Sequence, residues 1–246
     1  MTSGPELVAS VADMLNSMGL PGMAAELERI YRDPAFIGMD KLAFIAAVVG
    51  PEHDAFASKR LEARLRKCKL LGSPEEISKC VDSLERCYEP RGAVELLSTL
   101  SFIESGHNVL VVGASGTGKT YLAKALSIYA CRRFRGQYWH FSQLVERLAD
   151  IKKTDYSKFE RGMRALARLD FLVLDDFLFS PTSGDAENAI VFSLLDSRFE
   201  SRKTTIVCSQ RDPKGWLDML CGDKVTHDAV VKRVTQGYTI RIVKKG

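Results

Sequence analysis

Gly113-Ala114-Ser115-Gly116-Thr117-Gly118-Lys119-Thr120 fits the pattern G-x-x-x-x-G-K-[ST]. It follows an apolar run, Asn108 to Val112, and precedes an amphipathic stretch carrying Leu122, Ala125, Leu126 and Tyr129, so it reads as a phosphate loop between a strand and a helix. Glycines let the backbone curl so that successive N–H groups point inward at phosphate oxygens. The helix N-terminus adds its positive end. Lys119 is expected to reach the β- and γ-phosphates of a nucleoside triphosphate, and the Thr120 hydroxyl to ligate Mg²⁺.

Working outward, Phe171-Leu172-Val173-Leu174-Asp175-Asp176 is an apolar strand ending in two carboxylates. On a neighbouring parallel strand, Asp175 would hold Mg²⁺ through water and Asp176 would orient or deprotonate the attacking water. Further β-branched apolar runs, Tyr138 to Phe141, Thr204 to Cys208 and Tyr238 to Val243, alternate with long amphipathic stretches. Continuous apolar strands separated by helices imply a parallel sheet covered on both faces, an α/β layer fold of five strands.

Before about residue 105 the periodicity is helical. Leu7, Val11, Met14, Leu15 and Met18 recur at helical spacing, then Met23, Leu27, Ile30 and Tyr31 after a Gly-Leu-Pro-Gly break. Ser73-Pro74-Glu75-Glu76 reads as a helix start leading into Ile77, Cys80, Val81 and Leu84. Glu89-Pro90-Arg91-Gly92 interrupts the pattern, which places a domain boundary there: residues 1–90 helical, residues 91–246 the α/β module.

The 246 residues are 46% apolar and 27% charged, an ordinary balance that permits two packed domains and argues against disorder. The longest apolar run, Leu42 to Gly50, is far shorter than the ~20 residues of a membrane span, and no signal segment opens the chain, so a cytoplasmic location is expected. Cysteines 68, 80, 87, 131, 208 and 221 form no disulfide or zinc spacing and read as reduced thiols. Four scattered histidines argue against a metal hydrolase.

The net charge of +4 conceals a concentration. Between Ser58 and Lys69 six bases face one acid, while the remainder carries 29 bases against 30 acids. On a helix, Arg60, Arg64 and Lys67, with Lys59 beside them, would face outward, and a second stripe, Arg161, Arg164 and Arg168, would oppose Phe159, Met163 and Leu166. Both stripes suit the phosphate backbone of DNA, and no base-reading motif accompanies them.

The loop context from Asn108 to Ala123, the Leu-Val-Leu-Asp-Asp strand, the Arg198-Phe199 to Ser209-Gln210 stretch, the Trp216 loop with Gly222-Asp223 and the Val231-Lys232-Arg233-Val234 segment together resemble IstB-type ATPases, transposition helpers of insertion sequences. Leu20-Pro21-Gly22-Met23-Ala24 and the basic helix near residue 60 also suit that family, whose relatives are the DnaC helicase loaders of the AAA+ initiator clade. The resemblance implies an AAA+ sheet of order 5-1-4-3-2, a sensor at Ser209 or Gln210, and an arginine finger at Arg233, with Arg198 as runner-up, completing a neighbouring subunit's site. It implies ATP and Mg²⁺ as cofactors and a homo-oligomer that assembles on duplex DNA and recruits a transposase. The competing expectations are a helicase loader on single-stranded DNA, a non-hydrolysing nucleotide-gated scaffold and, more remotely, a small-molecule kinase.

Overall fold

The computed structural model describes residues 3–81, 86–220 and 223–244; Leu84, Cys221 and Gly222 lie outside them. The chain forms two compact bodies, Met1–Ala63 and Arg64–Gly246.

In the first body, α1 (Gly4–Ser17) opens on a reciprocal cap in which Ser3 and Glu6 satisfy each other's backbone ends. Gly19 turns the chain at φ 75°, and Pro21 starts α2 (Pro21–Arg32) where its missing N–H costs nothing. Ala12 and Leu15 of α1, Ala24, Leu27 and Ile30 of α2, and Val48 of α3 (Lys41–Cys68) bury one small core.

The second body is a three-layer α/β unit. After α4 (Ser78–Val81) and β1 (Arg86–Glu89) come α5 (Ala93–Ser98), α6 (Ser101–Glu104), β2 (Asn108–Val112), α7 (Lys119–Ala130), β3 (Gly136–His140), α8 (Phe141–Thr154) and α9 (Tyr156–Ala167). Then follow β4 (Phe171–Asp175), α10 (Asp185–Glu200), β5 (Thr204–Ser209), α11 (Lys224–Val234) and β6 (Gly237–Lys244). Strand alternation divides the core. Leu110, Val112, Leu172, Leu174 and Val207 pack with α8, α9, α10 and α11, while α7 covers the opposite face of β3, β4 and β5.

Three sequence expectations change. The sheet has six strands and is mixed, in the order β1-β6-β2-β5-β4-β3, instead of five and all parallel. β1 pairs antiparallel with β6, Arg86 opposite Lys244. Without it, the five parallel strands counted along the chain run 5-1-4-3-2. Arg86-Cys87-Tyr88-Glu89 escapes a search for apolar runs because an edge strand is only half buried.

The boundary falls at Ala63/Arg64 and not near Pro90. Cys68, Leu70 and Cys80 are buried and β1 belongs to the sheet, so the segment before Pro90 is part of the α/β body. The helix expected from Ser73 begins only at Ser78. The Glu76 N–H donates to the Tyr121 hydroxyl and Glu75 lies 3.5 Å from Lys124, so contacts with α7 hold this stretch out of the helix against its local capping preference.

Candidate nucleotide site

The loop after β2 delivers Lys119 and Thr120 to the first turn of α7. Gly116 and Gly118 take φ 72° and 98°, a region that side chains disfavour. A Cβ on Gly113 would stand 2.6 Å from the Ile242 carbonyl oxygen, so bulk is excluded where the loop begins. Lys119 is 6% exposed, and its Nζ donates to the Gly113 and Ala114 carbonyls at 2.7 and 2.8 Å. Burial lowers its pKa, while Asp175 and Asp176 are among the groups that oppose the fall. The loop opens on a hollow of about 470 Å³ that Thr120, Asp176 and Gln210 also line.

Asp175 closes the floor of this site, fully buried at the end of β4. Its Oδ2 accepts from Thr120 Oγ1 at 2.8 Å and from the Tyr138 hydroxyl, and its Oδ1 from the Asp176 N–H at 3.1 Å. Burial and this acidic neighbour push the Tyr138 phenol well above its usual pKa, so it remains a donor. Asp176 has φ 52°, a left-handed turn that takes it off the strand line, and it is half exposed where Asp175 is buried. His140 Nδ1 lies 3.7 Å from Asp176 Oδ2, and ligand atoms of His140, Asp175 and Asp176 all fall within 4.8 Å of one another. The Thr120 hydroxyl in contact with a buried carboxylate is the hard oxygen donor set that suits Mg²⁺.

The two sensor candidates separate. Ser209 is fully buried: its hydroxyl donates to the Phe177 carbonyl and accepts from Trp216 Nε1 and the Arg211 N–H. Gln210 faces the loop's hollow.

Neither finger candidate projects from its chain. Arg198 is fully buried, donating to the Leu166, Leu169 and Thr204 carbonyls and to Thr205 Oγ1, so burial removes it as runner-up. Arg233 is ion-paired with Asp196, donates to the Ala229 carbonyl and stacks over Phe192 at 4.7 Å, its side chain 19% exposed.

Of the expected DNA contacts, Lys59, Arg60, Lys67, Arg161, Arg164 and Arg168 are exposed. Arg64 turns inward instead, donating to the Cys131 and Arg132 carbonyls at 3.2 and 2.8 Å beyond the end of α7. Those carbonyls are among the acceptors that a helix end leaves open, which explains the inward turn.

Sequence reasoning missed Tyr138, His140 and Glu75. The first two sit on β3 beside β4, with His140 in register with Asp175, so strand pairing places them at the site. The signal was available in the polar end of the Tyr138 to His140 run. Glu75 lines the same hollow from a distant segment and carries no local signature.

The family model for IstB-like ATP binding proteins matches residues 13–245. An insertion-sequence ATP-binding protein of Sinorhizobium fredii is 28% identical over 223 residues, covering 90% of this chain and 88% of the relative. The ATP-binding protein of insertion sequence IS1162 from Pseudomonas fluorescens is 32% identical over 200 residues, covering 80% and 83%. Among solved structures, the DnaC helicase loader aligns at 22% identity and TM-score 0.50 over 61% of this chain and 88% of its own. The replication initiator DnaA bound to AMPPCP and single-stranded DNA aligns at 20% identity and TM-score 0.55, over 70% and 50%. These likenesses show the AAA+ fold. The built phosphate loop, the paired carboxylates and a family match over nearly the whole length lead to one assignment: the chain belongs to the IstB-like family of insertion-sequence ATP-binding proteins.

Proposed function

We propose that this protein hydrolyses ATP to control its assembly on duplex DNA, where it recruits and activates a transposase. The contact of Thr120 with buried Asp175 beneath the phosphate loop carries the catalytic half of the reading. The insertion-sequence context of its relatives supports the transposase half.

Lys119 would leave the loop carbonyls for the β- and γ-phosphates, and loop N–H groups would bind the remaining oxygens. Thr120 and Asp175 would hold Mg²⁺, whose chemistry when bound is to neutralise charge developing on those phosphates. Asp176, half exposed beside His140, would take the proton of the attacking water. Gln210, and not the saturated Ser209, would sense the γ-phosphate. Gln210→Ala is therefore expected to slow turnover about tenfold or more with the fold intact, whereas Ser209→Ala costs on the order of 1–2 kcal/mol of stability. Phosphate release and urea unfolding of both variants check the pair, and equal turnover losses would contradict the division.

In an assembly, Arg233 would have to exchange Asp196 for a neighbour's phosphate to act as a finger. Mixing Arg233→Ala with Lys119→Ala subunits tests this, since some mixed interfaces pair an intact finger with an intact loop. Recovery of turnover is expected; two dead variants that stay dead together would confine Arg233 to its bridge with Asp196. The whole proposal is tested by phosphate release with and without duplex DNA. DNA-stimulated turnover is expected, and none at all would favour a nucleotide-gated scaffold. A strong preference for single-stranded DNA would favour the helicase-loader reading.

A further inference from the structure

The free edge of the sheet, β3, lies between two openings whose linings join the chain's scattered bases. The larger, about 600 Å³, is lined by Lys69, Trp139, Arg147 and Lys158 along with two acids, Glu146 and Asp150. The smaller, about 260 Å³, brings Lys67 from the end of α3 together with Arg135, just before β3, and Arg168, just after α9. Gln137 lines the smaller and Trp139 the larger. The two side chains share one face of β3 and are tied by the Trp139 Nε1–H donating to Gln137 Oε1 at 2.9 Å, so the openings are continuous along the strand. Across both, seven bases face two acids.

We infer that this basic surface along β3, centred on Lys69, Arg147 and Lys158 around Trp139, is where the phosphate backbone of duplex DNA docks. The inference rests on the DNA-binding reading above and gives it a location that neither helix stripe shows alone.

Three observations support it. First, Lys67, Lys69, Arg147, Lys158 and Arg168 make no ion pair among the described residues, so no carboxylate holds them in contact. Second, Lys69 is held in the left-handed region at φ 66°, which disfavours side chains, and it stands 2.8 Å above the Trp139 ring with Arg147 at 5.7 Å from the same ring. Burial and then the Arg147 charge lower the Lys69 pKa, as expected where two cations crowd one ring. A polyanion relieves that crowding. Third, single-strand sites offer open aromatic faces on which bases stack, whereas Trp139, the sole aromatic lining either opening, is capped by Lys69. What the surface offers is cations, and rigid duplex phosphates are their match.

The test is anisotropy of a labelled random-sequence duplex, titrated with ATP-bound protein over a salt series. In the triple variant Lys69→Ala, Arg147→Ala, Lys158→Ala, affinity should fall at least about tenfold. The slope of log affinity against log salt should shrink by roughly 0.9 for each phosphate that the variant no longer neutralises. Nucleotide affinity, unchanged in the variant, reports an intact fold. Trp139→Phe should abolish the DNA-induced change in tryptophan emission, because the remaining Trp216 is fully buried. Wild-type duplex affinity and slope retained in the triple variant would overturn the surface while leaving the DNA reading in place; that is also the outcome if the surface takes an acidic protein face. A wild-type protein that binds no duplex removes both readings. Equal wild-type affinity for single strands, lost together with duplex affinity in the variant, overturns the duplex assignment.

Discussion

Asp176→Asn is expected to bind ATP normally and release phosphate at least about 100-fold more slowly than the wild type. Asparagine keeps the size and the left-handed turn at φ 52°, a conformation it tolerates better than most residues, so the loop geometry survives. What disappears is the proton acceptor. Asp175 by contrast is buried and already accepts from Thr120, Tyr138 and the Asp176 N–H, so it lacks the access that a base toward water requires. Fluorescent-nucleotide binding beside a phosphate-release assay separates the two steps. Turnover within a few-fold of wild type would move the base elsewhere, with His140 the next group at hand.

The second large effect is on stability. Arg198→Met should destabilise the α/β body by about 3–5 kcal/mol, because it removes a buried charged donor that serves carbonyls at the end of α9, in the turn beyond it and at the start of β5. Burial pulls the Arg198 pKa down to about 9, which still leaves it charged at neutral pH, and each of its three nitrogens donates to an internal oxygen. For a body of this size the loss corresponds to a melting-point fall on the order of 10 °C. Calorimetry of the variant checks it. An unchanged melting point accompanied by lost turnover would restore Arg198 as a catalytic candidate.

Legibility in the sequence followed the range of the interactions. The phosphate loop and the carboxylate strand were readable because each is a local pattern whose chemistry demands fixed spacing; the fold sets Lys119 against the loop carbonyls and Thr120 against Asp175. β1 was not readable: its four residues, three of them half buried, become a strand only because β6 offers an edge. The failed helix start at Ser73 shows the same effect, since the capping pattern is present but contacts with Tyr121 and Lys124 keep the segment out of the helix. Charge misled in its own way. Arg64 and Arg233 look like presented cations in sequence, yet one caps carbonyls beyond α7 and the other is engaged by Asp196. Where a base points is decided by acceptors distant in the chain, which periodicity does not encode.

Coupling of nucleotide to duplex DNA through assembly requires ATP to favour the DNA-bound state. Duplex affinity measured with ATP, with ADP and without nucleotide tests it most directly, using Lys119→Ala as the control that cannot respond. Duplex binding about tenfold or more tighter with ATP than with ADP is expected, with no difference for Lys119→Ala. Equal wild-type affinity under all three conditions would contradict it.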